Sequence, residues 1–193
     1  MATTNTRTKM MILTALFSSL TALGAFWKIP IPPVPVTLQI FFVVMAGLVL
    51  GSHWGLVSQL VYLAVGLCGI PIFTAGGGPA YIFQPTFGYL IGFAVAAWLA
   101  GWIVERTGEF SFRVCFAASM AGLLASLVIG TLYMYLLLNL YLHTPQTIWT
   151  ALLSGFIPFI IGDTVLMAVV SVLSLQVLTR LHKAGLYHPP VVK

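Results

Sequence analysis

One carboxylate stands apart in this sequence. Asp163 lies in the apolar stretch from Trp149 to Leu178, whereas the other two acidic residues, Glu105 and Glu109, share a polar connection. An ionisable group at membrane depth costs at least about 2.5 kcal/mol, so it needs a partner or a purpose. Two readings stand. As polar glue, the carboxylate is satisfied by nearby backbone N–H groups and by Thr164. As a binding group, it faces a cavity and accepts hydrogen bonds from N–H groups of a ligand. Its isolation, near the outer end of a helix, favours binding.

Other polar and glycine residues flank the apolar segments. Gly76-Gly77-Gly78-Pro79 is followed by Tyr81, Gln84, Thr86 and Tyr89. Three glycines let a backbone approach a ligand closely and present N–H groups to it. No Lys-Ser/Thr follows, so this is not a nucleotide phosphate loop, and a plain connector is an equal reading. Thr37 and Gln39 follow a run of prolines at the mouth of a helix, where they either bond a ligand or cap the helix. Phe73, Tyr81 and Tyr89 form either an interfacial aromatic belt or an apolar wall. Cys68 and Cys115 lie far apart in apolar segments, without CxxC spacing, and read as buried thiols. There is no HExxH and no His/Glu metal cluster. A membrane-embedded enzyme needs paired catalytic groups, and Asp163 has neither a His nor a second carboxylate beside it. The helices also lack the acid–base pairs of proton-coupled carriers, so uphill movement of a solute would draw its energy from a partner.

The elements that position these residues belong in a bilayer. Sixty per cent of the 193 residues are hydrophobic, 6% are charged, and mean hydropathy is +1.07. A soluble domain carries about 25% charged residues. The formal net charge of +5 comes from basic residues beside apolar segments. They read as topology signals, too thinly spread for a nucleic-acid groove.

A single transmembrane domain over 1–193 follows, with helices at about 10–27, 36–50, 54–67, 85–104, 112–142 and 158–180. The first is too long for a signal-peptide core and ends at Lys28 and prolines, so it reads as retained. Prolines at 30, 32, 33 and 35 forbid helix between the first two. The second and third are short for a bilayer of about 30 Å. Irregular backbone at such places is tolerated where it lines a cavity, so the loops 28–35 and 68–84 read as a lid or wall. With six helices both termini share a side. That side holds Arg7, Lys9, Arg106, Arg113, Arg180, Lys183 and Lys193, seven of the eight Lys and Arg, against Lys28 on the other. The termini are therefore expected to be cytoplasmic, with both loops outside. Small residues on the first helix (Ala15, Ser19 and Ala22) allow close approach of another helix.

Four stretches, in order, resemble the BioY family. They are Ile29-Pro30-Ile31-Pro32-Pro33-Val34-Pro35-Val36-Thr37-Leu38-Gln39; Tyr62-Leu63 with Gly66, Gly69-Ile70-Pro71-Ile72-Phe73 and Gly76-Gly77-Gly78; Pro85-Thr86, Gly88-Tyr89-Leu90 and Gly92-Phe93; and Gly162-Asp163. The family comprises biotin-specific substrate-binding (S) components of energy-coupling factor transporters. The resemblance covers roughly 10–180. It implies a six-helix S-component fold in the cytoplasmic membrane, with high-affinity biotin binding near the outer face. It also implies a transmembrane coupling (T) subunit and two ATPases as partners, the coupling subunit meeting the first helix at Ala15, Ser19 and Ala22. No cofactor is implied, biotin being the ligand. The alternative is a solitary biotin carrier working without the ATPases.

On this resemblance Asp163, Gln84 and Thr86 suit the ureido group of biotin, and Phe73 and Tyr89 its fused rings. Thr37, Gln39 and Gly78 complete the expected site. The valerate carboxylate suits the outer rim, near the glycine-loop N–H groups or Lys28. The chain departs from many relatives in two places. Gln84-Pro85-Thr86-Phe87-Gly88-Tyr89 stands where they have Gly-Pro-Thr-Gly-Gly-Tyr, and Leu166 stands where they have a lysine.

Overall fold

The computed structural model describes the backbone of residues 2–109 and 111–183 and the side chains of 7–109 and 111–180. Lys193 and the side chain of Lys183, counted above in the charge asymmetry, lie outside the described residues.

Among the described residues six α-helical runs make up the architecture: α1 (Ala2–Phe26), α2 (Gln39–Leu67), α3 (Phe87–Thr107), α4 (Phe112–Leu136), α5 (Ile148–Gly155) and α6 (Ile157–Lys183). An antiparallel pair, β1 (Lys28–Ile29) with β2 (Val36–Thr37), joins α1 to α2, and a 3-10 helix at Pro79–Phe83 precedes α3. Among the described residues five stretches are long and apolar enough to cross a membrane: Arg7–Phe26, Gln39–Leu67, Phe87–Thr107, Phe112–Tyr141 and Ile148–Arg180.

The second of these is not a rod. Gln39 Nε2 donates to Tyr62 Oη at 2.8 Å, although the residues are 23 apart in sequence. In a continuous helix they would lie about 34 Å apart. The chain reverses at Gly51, whose φ of 84° and ψ of 176° are open to glycine but not to a residue with a side chain. The two arms, 39–50 and 52–67, therefore lie antiparallel. Glu105 of α3 closes the reversal, accepting from the Ser52 N–H at 2.7 Å and from the Ser52 hydroxyl. A carboxylate is well placed there, because the first N–H groups of the second arm have no helical acceptor. The sequence reading treats 105–111 as a polar connection, whereas α3 runs on to Thr107 and ends at Gly108, whose φ of 66° is left-handed and whose N–H donates to the Val104 carbonyl at 3.1 Å.

α3 sits at the centre, between α2 and α4; α1 packs on α2, and α6 packs on α4 and α2. Close approach comes from small residues. A Cβ on Gly47 would lie 2.2 Å from the Ala97 carbonyl oxygen, and one on Gly122 would lie 2.9 Å from that of Ala96. Gly47 and Gly55, on opposite arms of α2, nearly touch. Such contacts drive helix association in lipid, where burying apolar side chains gains little.

α4 passes into a π-helical turn, Leu137–Tyr141. The chain from Trp149 to Leu178 is broken at Phe156 (φ −120°, ψ −57°), separating α5 from α6. α5 is capped by Thr147, whose hydroxyl accepts from the Thr150 N–H at 3.2 Å. Pro158 follows Ile157 as the second residue of α6, where no backbone N–H is needed. Met10, Leu13, Leu50, Trp54 and Val177 share one cluster near the Gly51 turn, which sets the ends of α1 and α6 beside that turn. Arg7, Lys9, Arg106, Arg113 and Arg180 belong to this end and Lys28 to the opposite one.

Candidate functional site

The opposite end encloses a cavity of about 480 Å³, counting the space at its open mouth. Val34 and Pro35 of the first loop and Thr74 of the second form its rim. Thr37, Gln39 and Ile40 enter from the start of α2, Thr86, Tyr89, Leu90 and Phe93 from α3, Leu123, Ser126 and Leu127 from α4, and Phe159 and Asp163 from α6.

Asp163 reaches the cavity because of helical phase. Phe159, Asp163, Met167, Val170, Ser171 and Ser174 recur at helical spacing and are all buried, whereas Ile161, Val165, Val169 and Val172 face outward. Asp163 is 4% exposed. Among the described residues no side chain or backbone group hydrogen-bonds its carboxylate. Thr164, offered by the polar-glue reading, instead donates to the Ile160 carbonyl. An unpaired carboxylate in so apolar a setting is costly, and the cost falls if a ligand supplies donors.

The other polar groups of the cavity are held by one another. The Thr37 hydroxyl accepts from the Gln39 N–H at 3.4 Å and donates to Gln39 Oε1 at 3.2 Å. The helix-capping and cavity readings of Thr37 thus hold together. Gln39 is 2% exposed and Tyr62 1%. The Gln39 amide donates to Tyr62 Oη, which donates to the Ile72 carbonyl at 3.1 Å, tying both arms of α2 to the second loop. The Thr74 and Thr86 hydroxyls each lie 2.9 Å from Tyr81 Oη, one on either side. Tyr89 donates to the Gly155 carbonyl at 2.7 Å, its ring seated on Gly130 and 5.9 Å from the ring of Phe159.

Of the residues singled out from sequence, Thr37, Gln39, Thr86, Tyr89 and Asp163 line the cavity together. Gln84, Phe73 and Gly78 do not. Gln84 is exposed just before α3. Phe73 is buried behind the rim, on Gly66 and between Tyr62 and Tyr81. Gly78 spends its N–H on the Gly66 carbonyl at 2.8 Å. Phe73, Tyr81 and Tyr89 are all buried, so none of them serves as an interfacial belt, and of the three Tyr89 walls the cavity. Cys115 is buried but Cys68 is exposed, unlike the apolar setting read for both. On α1, Ala15 and Ser19 are exposed and Ala22 is half-buried.

Thr74, Ser126 and Phe159 are lining residues that the sequence reading does not name. Leu123, Ser126, Leu127 and Gly130 recur at i, i+3, i+4 and i+7 and so share one face of α4, all four being buried.

A family model for BioY matches residues 1–183. A probable biotin transporter BioY from Lysinibacillus sphaericus is 44% identical over 153 residues, covering 79% of this chain and 78% of that protein. A biotin transporter BioY from Thermotoga maritima is 33% identical over 169 residues, covering 87% and 95% respectively. Among solved structures, the S-component for biotin from an ECF-type ABC transporter aligns with a TM-score of 0.70 at 26% identity, over 90% of this chain and 92% of that one.

Proposed function

The chain belongs to the BioY family, and from this premise we propose that it binds biotin as the substrate-specific S component of an energy-coupling factor transporter. The observation that carries the reading is Asp163, a buried carboxylate without a partner among the described residues, facing a cavity walled by Tyr89, Phe93 and Phe159. The ureido group of biotin offers two N–H donors and one carbonyl acceptor. Asp163 accepts from the donors, and the Thr86 hydroxyl and Gln39 amide stand within the same cavity. The fused rings of biotin lie against the aromatic wall.

Six membrane crossings follow when the two arms of α2 are counted separately. The end holding Arg7, Lys9, Arg106, Arg113 and Arg180 is cytoplasmic by the excess of basic residues, which turns the cavity outward. The exposed small residues Ala15 and Ser19, with Ala22 beside them, form the face of α1 that meets the coupling subunit. Among the described residues no acid–base pair is buried within the helices, and on this reading the energy comes from partner ATPases.

The test is calorimetry with biotin on the protein purified in detergent. Binding is expected, with affinity reduced about 10- to 150-fold by Asp163→Ala, the equivalent of one charge-assisted hydrogen bond of about 1.5–3 kcal/mol. Folded protein that binds no biotin would overturn the assignment. Equal affinity in the variant would overturn the role of Asp163 alone. Uptake in cells lacking the ATPase subunits should vanish, and persistent uptake there would favour a solitary carrier.

A further inference from the structure

Resting on the biotin reading, we infer that Lys28 selects ligands with an anionic tail, its ammonium meeting at the rim a carboxylate whose polar head lies on Asp163. Lys28 belongs to the first loop, and its Nζ donates to the Thr74 carbonyl of the second. Its strand partner is Thr37. Both Thr74 and Thr37 line the cavity, so the lysine spans the mouth although it is exposed and lies just outside the lining.

An ammonium has three donors, and the Thr74 carbonyl takes one. Among the described residues no carboxylate pairs with Lys28. Glu105 and Glu109 lie at the opposite end, and Asp163 lies within the cavity. The charge at the rim therefore lacks a counter-ion.

Several other groups able to receive an anion there are already engaged. The Gly76 N–H donates to the Phe73 carbonyl and the Gly78 N–H to the Gly66 carbonyl. The hydroxyls of Thr74 and Thr86 are tied to Tyr81, and that of Thr37 to Gln39. His143 follows α4 at the same end but is not part of the lining. A cavity with one anion inside and one cation at its mouth gives an elongated ligand a single orientation: N–H donors inward, negative charge outward.

Because Lys28 is exposed, the pairing is worth about 5-fold in affinity, near 1 kcal/mol, and is screened by salt. The measurement is binding of biotin and of biotinamide, which lacks the negative charge, to purified wild type, Lys28→Met and Lys28→Arg at low and high salt. Wild type should prefer biotin by about 5-fold at low salt and by less at high salt. Lys28→Met should lose the preference while holding biotinamide as wild type does, and Lys28→Arg should keep it. An unchanged preference in Lys28→Met, or equal losses for both ligands, would overturn the role of Lys28, equal losses pointing to a structural strap instead. Biotin binding by wild type with no preference over biotinamide would overturn it too, with the biotin reading intact. Failure of wild type to bind either ligand would remove both.

Discussion

The two ends of the bundle differ in what their glycines touch. At the Gly51 end, glycines bring backbone against backbone: Gly47 meets Ala97, Gly55 meets Gly47, and Gly101 meets Gly51 and Ser52. At the cavity end three of them seat aromatic rings instead, Gly66 under Phe73, Gly88 under Tyr133 and Gly130 under Tyr89, while Gly24 and Gly77 still meet backbone. The first arrangement closes the space between helices. The second fills it with side chains, and one chamber is left over. The difference teaches that rigidity and binding are divided along the membrane normal, with the same residue type serving both.

The sharpest break of that division is Gly47→Ala. Its Cβ would fall 2.2 Å from a backbone oxygen that cannot rotate away. Overpacking costs about 1–3 kcal/mol and sometimes more, so a loss near 3 kcal/mol is expected, seen as a lower Tm in detergent and less monodisperse protein. Gly66→Ala meets the ring of Phe73 instead, and about half that loss is expected because a side chain can shift.

Asp163→Asn separates binding from stability. It should weaken biotin binding by about tenfold or more yet leave Tm equal or higher, since an unpaired buried charge is removed. A large fall in Tm would mean that the carboxylate is structural. Tyr89→Phe removes the bond to the Gly155 carbonyl. Thermal unfolding should record a loss of about 1 kcal/mol while the aromatic wall persists. Tyr62→Phe is expected to cost at least as much, about 1–3 kcal/mol, by leaving the buried Gln39 amide without its acceptor. Its signature is faster hydrogen exchange in the second loop, because the Ile72 carbonyl is released as well.

How much could be read from sequence follows from local contrast. Asp163 was legible because a charge in an apolar run is conspicuous without any coordinates. Helices, the Pro and Gly breaks and the reversal near Gly51 were legible for the same reason: each interrupts a uniform background. The loops at the mouth were harder. Phe73 and Thr74 are neighbours, yet one points behind the rim and the other into the cavity, because Thr74 opens the tight turn between the bridged Phe73 and Gly76. Gln84 lies two residues before Thr86 and faces solvent, because the 3-10 helix turns the chain just there. Ser126 and Phe159 were hidden by the opposite problem. On a helix apolar all round, no polar face tells which side is inward, so the lining of α4 and α6 depends on packing between distant segments. The pairing of Lys28 with Thr37 is non-local in the same sense, spanning a proline-rich loop whose path the composition does not fix.

The reversal at Gly51 has a mechanical corollary for the surrounding lipid. Residues 39–50 rise about 18 Å and 52–67 about 24 Å, against a hydrocarbon thickness of about 30 Å. The first arm is buried in the bundle, so the mismatch with lipid falls on the second, where His53, Leu60, Val61 and Ala64 are exposed. Bilayer beside that arm should thin, or headgroups and water should dip toward Ser52. Acyl-chain length becomes an experimental handle on the energetics of the chain, for short-chain lipids relieve the mismatch and long-chain lipids aggravate it.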